Sequence, residues 1–268
     1  MSFVKVDRPR PDTAVVTLNR TERMNSMSFD VMVPLRNALR TLSDDNDVRV
    51  VILTGGGTAF CSGADQSGEK GKMPNIGGLT APTVGLRAME LLEDIILTLR
   101  NLHQPVIAAV NGPAIGGGLC LALACDIRIA AESAYFRAAG INNGLTASEL
   151  GLSYLLPRAI GTSRAFEVML TGRDVDAAEA AQIGLVSRLV DDESLLDECL
   201  EMAEGIVGWS RPGVELTKKT LWSGLDAGSL ASHMQAEGLG QLYIRMLTSN
   251  FEEAIAARKE KRDPDFKD

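Results

Sequence analysis

A chain of 268 residues is long enough to bury a sizeable core, in one large domain or in one domain with an appendage. Its apolar content of 45% and charged content of 23% are ordinary for a globular protein, and a net charge of -8 excludes the basic face that a nucleic-acid groove needs, though not a local basic pocket for a phosphorylated ligand. The apolar runs are broken by Gly, Pro or Asn well short of a membrane span, and no charged segment followed by an apolar one opens the chain, so neither a membrane partner nor a secretion signal is expected.

In chain order, residues 3–6 and 14–18 read as a hairpin around a turn-rich 8–12 stretch. Residues 28–42 carry apolar side chains at helical spacing (Val31, Leu35, Ala38, Leu42), with Ser28 as the expected cap. Residues 48–53 form a short buried strand ended by Gly55, Gly56 and Gly57. The 66–81 stretch, rich in Gly, Lys and Ser, has no period and reads as a mobile surface loop. Helical spacing returns over 84–102. An apolar strand at 106–110 then runs through the Asn111–Gly112–Pro113 turn into three glycines that open a helix, and a further apolar run starts at Ile127. From Ala147 onward helices dominate: one carrying Tyr154 and Arg158, then 165–170, 177–182, 195–207, 216–225, 230–247 and 251–262, with one strand at 185–190. The expected organisation is an α/β core over 1–195 followed by a helical region over 196–268 whose apolar faces seek another copy of the chain.

The chemistry concentrates in two glycine turns. The strand, turn and helix start around Gly116, Gly117 and Gly118 leave bare N–H groups where a developing negative charge could sit. The second turn, from Thr54 to Asp65, again ends a strand in small residues and uncovers amides. Together they can aim two donors at one oxygen, although either stretch alone is explained by glycines that merely permit tight turns. Neither stretch matches G-x-G-x-x-G, a P-loop or a G-x-S-x-G elbow. The four cysteines lack a C-x-x-C pair and read as reduced, buried thiols of a cytosolic protein, and with His103 and His233 the only histidines no metal site is expected.

Taken together, AFCSGADQ at 59–66, PVIAAVNGPAIGGGLCLALACDIRIA at 105–130 and GLSYLLPRAIGTSRAFEVMLTGRDVDAAEAAQIGLVSRLV at 151–190 resemble the crotonase, or enoyl-CoA hydratase/isomerase, superfamily. TLNRTERMNSMS near the start and EEAIAARKEKRDPDF near the end fit it too, so the resemblance covers essentially the whole chain. It implies a core of repeated β-β-α turns forming a spiral, with carboxy-terminal helices that pack subunits into homotrimers, often hexamers. It implies an acyl-CoA thioester substrate, as in fatty-acid metabolism, with coenzyme A entering as part of the substrate and no separate cofactor. The amides of Ala64 and Gly117 would hold an enolate oxygen. Arg23, Met24, Met27, Ser62 and Gln66 would hold the coenzyme A moiety, and Lys261 matches a basic position near its phosphate. Arg258 stands where many relatives carry an aromatic residue over the adenine.

The sequence departs from the hydratase pattern of two glutamates flanking a water. Cys120 and Gly140 stand at those positions, and neither does carboxylate work; Cys120 reads as a packed apolar thiol. Several isomerases of the superfamily carry their catalytic carboxylate where Glu149 stands. A single carboxylate can remove a proton at one carbon and return it at another, so double-bond isomerisation is the leading expectation. Enoyl-CoA hydration and a non-catalytic acyl-CoA-binding protein are the alternatives. Glu149 also has a structural reading, because Thr146-Ala147-Ser148-Glu149 has the spacing of a capping box at a helix start. Asp126 reads as a structural hydrogen-bonding group, and Asp65 as the group that shapes its turn.

Overall fold

The computed structural model describes residues 2–68 and 71–267. An antiparallel hairpin, β1 (Val4–Arg10) and β2 (Thr13–Leu18), leads into α1 (Phe29–Ser43), β3 (Val50–Gly55), α2 (Ala81–Asn101) and β4 (Val106–Val110). Then come β5 (Ala114–Ile115), α3 (Gly117–Ala124), β6 (Ile127–Ala131), β7 (Tyr135–Arg137), α4 (Leu152–Ile160), α5 (Thr162–Thr171), β8 (Asp174–Asp176), α6 (Ala177–Gln182) and β9 (Arg188–Val190). Four helices close the chain: α7 (Leu195–Val207), α8 (Arg211–Asp226), α9 (Leu230–Leu247) and α10 (Asn250–Glu260). None of the described helices is long and apolar enough to cross a membrane.

The main sheet has the order β1-β2-β3-β4-β6-β9, and every pair after the first is parallel. Parallel strands are covered on both faces and so read as continuous apolar runs, as VIAAV of β4 does with all five residues buried. The alternation of strand side chains divides them between two cores. Val16, Leu53 and Ala108 face α1, α2 and α3, whereas Val15, Ile52 and Ile107 face Cys199, Leu200 and Ala203 of α7. Burying a side chain such as Ile52 or Ile107 contributes roughly 1.5–3 kcal/mol. The chain is thus a mixed α/β protein built on a parallel-rich sheet, as the crotonase resemblance implies.

A second sheet, β5-β7-β8, holds two or three residues of each strand. Cys61 bridges to Ala114 at its edge, so this small sheet joins the 54–65 turn to the turn that opens α3. Strands this short leave no periodic signal in the sequence. Ser28 does occupy the cap position of α1, but its side chain makes no capping hydrogen bond and its buried Oγ has no partner among the described residues. In the 66–81 stretch, residues 66–68 and 71–80 lie outside helices and strands, while Glu69 and Lys70 lie outside the described residues. Asp30 of α1 tethers this stretch by accepting from the Lys72 N–H at 3.3 Å.

Candidate active site

The two glycine turns lie against each other, backbone on backbone. Ile115 N donates to Cys61 O at 2.9 Å, and Cys61 N to Pro113 O at 3.1 Å. Gly63 has φ +81, and a Cβ on it would stand 2.6 Å from Ile115 O and 3.5 Å from Gly117 N. Only glycine fits both the left-handed backbone and that approach. Ala64 is exposed between the buried Gly63 and Asp65, and Gly117 opens α3. Neither the Ala64 nor the Gly117 amide has a backbone acceptor among the described residues.

A third strip of chain completes this wall. Met27 N donates to Gly63 O at 2.7 Å, Asp65 N to Met27 O at 3.3 Å, and Ser62 N to Met24 O at 3.0 Å. Ser62 Oγ reaches Arg23 O at 3.4 Å. Arg23, Met24, Met27, Ser62 and Ala64 therefore form one ribbon, with exposed Gln66 beside it. Lys261 is not joined to it: it ends α10 in a left-handed conformation, and the hydrogen bonds of the ribbon do not reach it.

The ribbon is fixed from behind by Asn25 and Arg20, neither of them singled out in the sequence, together with Asp65. Asn25, fully buried, accepts from Arg20 N at 3.0 Å and donates to Gly56 O at 2.9 Å and Ala59 O at 2.7 Å. Its φ of 55 is one that asparagine tolerates better than most residues. An Asn within a turn-rich stretch was the available signal. Asp65 forms a buried ion pair with Arg20, with side chains only 3% and 6% exposed. Hydrogen bonds from the Ser67 hydroxyl and amide, helped by Arg20, hold the Asp65 carboxyl at about 2. Asp65 thus shapes its turn, as expected. Asp126 is likewise structural: it accepts from Val106 N at 2.7 Å and Trp222 Nε1 at 2.6 Å and pairs with Lys218 at 2.8 Å.

Glu149 stands against the turn that opens α3. Its Oε1 lies 3.0 Å from where a Gly116 Cβ would be, so the carboxylate sits over the glycine that precedes Gly117. The capping-box reading of Glu149 is corrected here. Leu150 (φ 44) and Gly151 (φ 83) are left-handed, α4 begins only at Leu152, and the Thr146 hydroxyl bonds to Ser148 O instead of capping a helix. The Glu149 carbonyl accepts from Leu152 N at 2.7 Å and from Cys120 Sγ at 3.4 Å. Burial raises the Glu149 carboxyl above its ordinary value. Burial also pushes the Cys120 thiol well up and the Cys61 thiol to about 12, which leaves both protonated and poorly nucleophilic. No cluster of three metal-ligating side chains occurs among the described residues.

Residues 11–268 match the family model described as enoyl-CoA hydratase/isomerase. "Probable enoyl-CoA hydratase EchA12" of Mycobacterium tuberculosis is 70% identical over 268 residues, covering 100% of this chain and 94% of the relative. A crystal structure of "a probable enoyl-CoA hydratase/isomerase" from Mycobacterium abscessus superposes with a TM-score of 0.95 at 70% identity, covering 100% of this chain and 99% of the other. Another, of "a monofunctional enoyl CoA isomerase" from M. smegmatis, superposes with a TM-score of 0.75 at 66% identity, covering 88% and 99%. The chain belongs to the enoyl-CoA hydratase/isomerase family, within the crotonase superfamily, and is an enzyme of acyl-CoA thioesters.

Proposed function

We propose that this chain moves the double bond of an enoyl-CoA thioester between neighbouring positions, with Glu149 as the single proton carrier. The observation that carries the reading is the place of the Glu149 carboxylate, over Gly116, the residue before Gly117, while Cys120 and Gly140 supply no second carboxylate. The thioester oxygen accepts from the Ala64 and Gly117 N–H groups. Glu149 takes a proton from the α-carbon of a 3-enoyl-CoA, and the electron pair left behind spreads onto that oxygen. The protonated Glu149 then returns the proton to the γ-carbon, which leaves the 2-enoyl thioester and an ionised Glu149. Main-chain donors aimed at the developing charge contribute without reorganising, and losing one such donor typically costs about 10²–10³ in rate. Burial of Glu149 supports the reading, because a base whose pKa lies nearer the working pH returns its proton more readily. Arg23, Met24, Met27, Ser62 and Gln66 hold the coenzyme A part along the ribbon, and Lys261 is reserved for its phosphate. The M. smegmatis neighbour described as a monofunctional isomerase favours isomerisation over hydration.

The test is Glu149→Gln assayed on 3-enoyl-CoA and 2-enoyl-CoA. Isomerisation is expected to fall by about 10²–10⁴ while acyl-CoA binding persists. Undiminished turnover on both substrates would remove Glu149 from the reaction.

A further inference from the structure

At the opposite end of the sheet from Gly117 lies a cavity of about 730 Å³. Pro105, before β4, and Asp126, before β6, line its floor; α4 and α8 form its walls. None of the residues placed in the thioester site lines it. Its volume falls within the roughly 300–1,000 Å³ typical of small-molecule sites.

Four charged residues line the cavity: Asp126, Arg128, Arg158 and Lys218. The one carboxylate pairs with Lys218 at 2.8 Å, and its charge also reaches Arg128. Neither Arg128 nor Arg158 has a carboxylate within ion-pair distance among the described residues. Arg128 donates to the carbonyls of Leu185 (2.7 Å) and Cys125 (3.0 Å). Arg158 donates to Tyr154 O at 3.0 Å and lies 3.5 Å over the Tyr154 ring. Carbonyls satisfy N–H groups without neutralising charge. Burial accordingly lowers Arg128 below its ordinary pKa. Three cations against one carboxylate leave the cavity net positive, in a chain whose charge as a whole is -8. The remaining wall is mostly apolar, with Leu155 and Leu221 among its side chains.

We propose that this cavity is a second ligand site, for the carboxylate of a fatty acid, with the head group on Arg158 and Arg128 and the tail along Leu155 and Leu221. A bare inorganic anion leaves the apolar wall unfilled, and a neutral lipid leaves the excess positive charge unmatched. This assignment does not depend on the reaction proposed for Glu149.

The chain has two tryptophans, and both Trp209 and Trp222 line the cavity, so intrinsic fluorescence reports on it directly. Titration of the full-length protein with sodium dodecanoate is expected to give a saturable emission change. Arg158→Leu is expected to weaken it by about tenfold, as loss of a charge-assisted hydrogen bond does, with turnover unchanged. Leu221→Asp, on the exposed side of α8, sets a carboxylate against the tail and is expected to abolish the response. Four results would each overturn the proposal: no saturable change; an equal response to dodecanol; a response removed by saturating coenzyme A, which places the fatty acid in the thioester site; or an emission that follows protein concentration alone, which places a second copy of the chain over the cavity.

Discussion

Glu149 and Asp65 are shifted in opposite directions, Glu149 upward by burial and Asp65 downward by the hydrogen bonds from Ser67, and pH separates them. Glu149 sits in an apolar setting that disfavours its charged form, so its folded pKa lies above the unfolded one. Its contribution to stability is full below the unfolded pKa and lost as pH rises through the folded one. Glu149→Gln is therefore expected to raise the thermal midpoint at neutral pH while turnover collapses. In the wild type, kcat/KM should fall in acid with an inflection above the ordinary glutamate range; a midpoint at the ordinary value would show that burial is not felt. Asp65 is the reverse. Held at about 2, it contributes stability above its unfolded pKa and loses it as pH drops towards 2. Because Asp65→Asn strands Arg20 in a buried position, urea unfolding is expected to show a loss of about 3–5 kcal/mol, as removing one partner of a buried pair does. The legible part at this scale was the pair of turns that the fold brings together. Asn25 and Arg20 were not legible, because a single polar residue in a turn looks the same whether it faces water or staples three segments.

Helices and long strands announced themselves through their periods. The spans 195–207 and 230–247 coincide with α7 and α9, since amphipathic spacing over many residues outweighs local ambiguity. The small sheet escaped, because β5, β7 and β8 gain their stability from pairing with one another and with Cys61, not from local propensity. The Thr146–Glu149 pattern misled for a related reason. A capping box specifies a helix start only if the following residues can be helical, and here Leu150 and Gly151 are left-handed. The contact between the turns is equally an element-scale property. A Cβ on Gly118 would overlap the Cys61 carbonyl, so Gly118→Ala is expected to separate the turns. Turnover should fall by about 10², the scale of a 1 Å misplacement, together with a lower thermal midpoint; full activity in this variant would detach the spacing of the turns from the reaction.

At the scale of the whole molecule, the carboxy-terminal helices are unfinished. α9 buries none of its residues, and Leu239, Leu242 and Met246 are 69%, 55% and 75% exposed. Apolar patches of this extent mark association surfaces. Sedimentation is expected to give a homotrimer or hexamer of the 28.6 kDa chain, and Leu242→Glu with Met246→Glu to lower that mass. A monomer at micromolar concentration would refute this. The backbone-on-backbone contact of the two turns has a further implication. Where peptide planes touch, with no side chain between them, replacing residues cannot adjust the gap in small steps. Variation is left to side chains that neighbour the turns, Glu149 and Cys120 among them, while the spacing of the turns stays fixed.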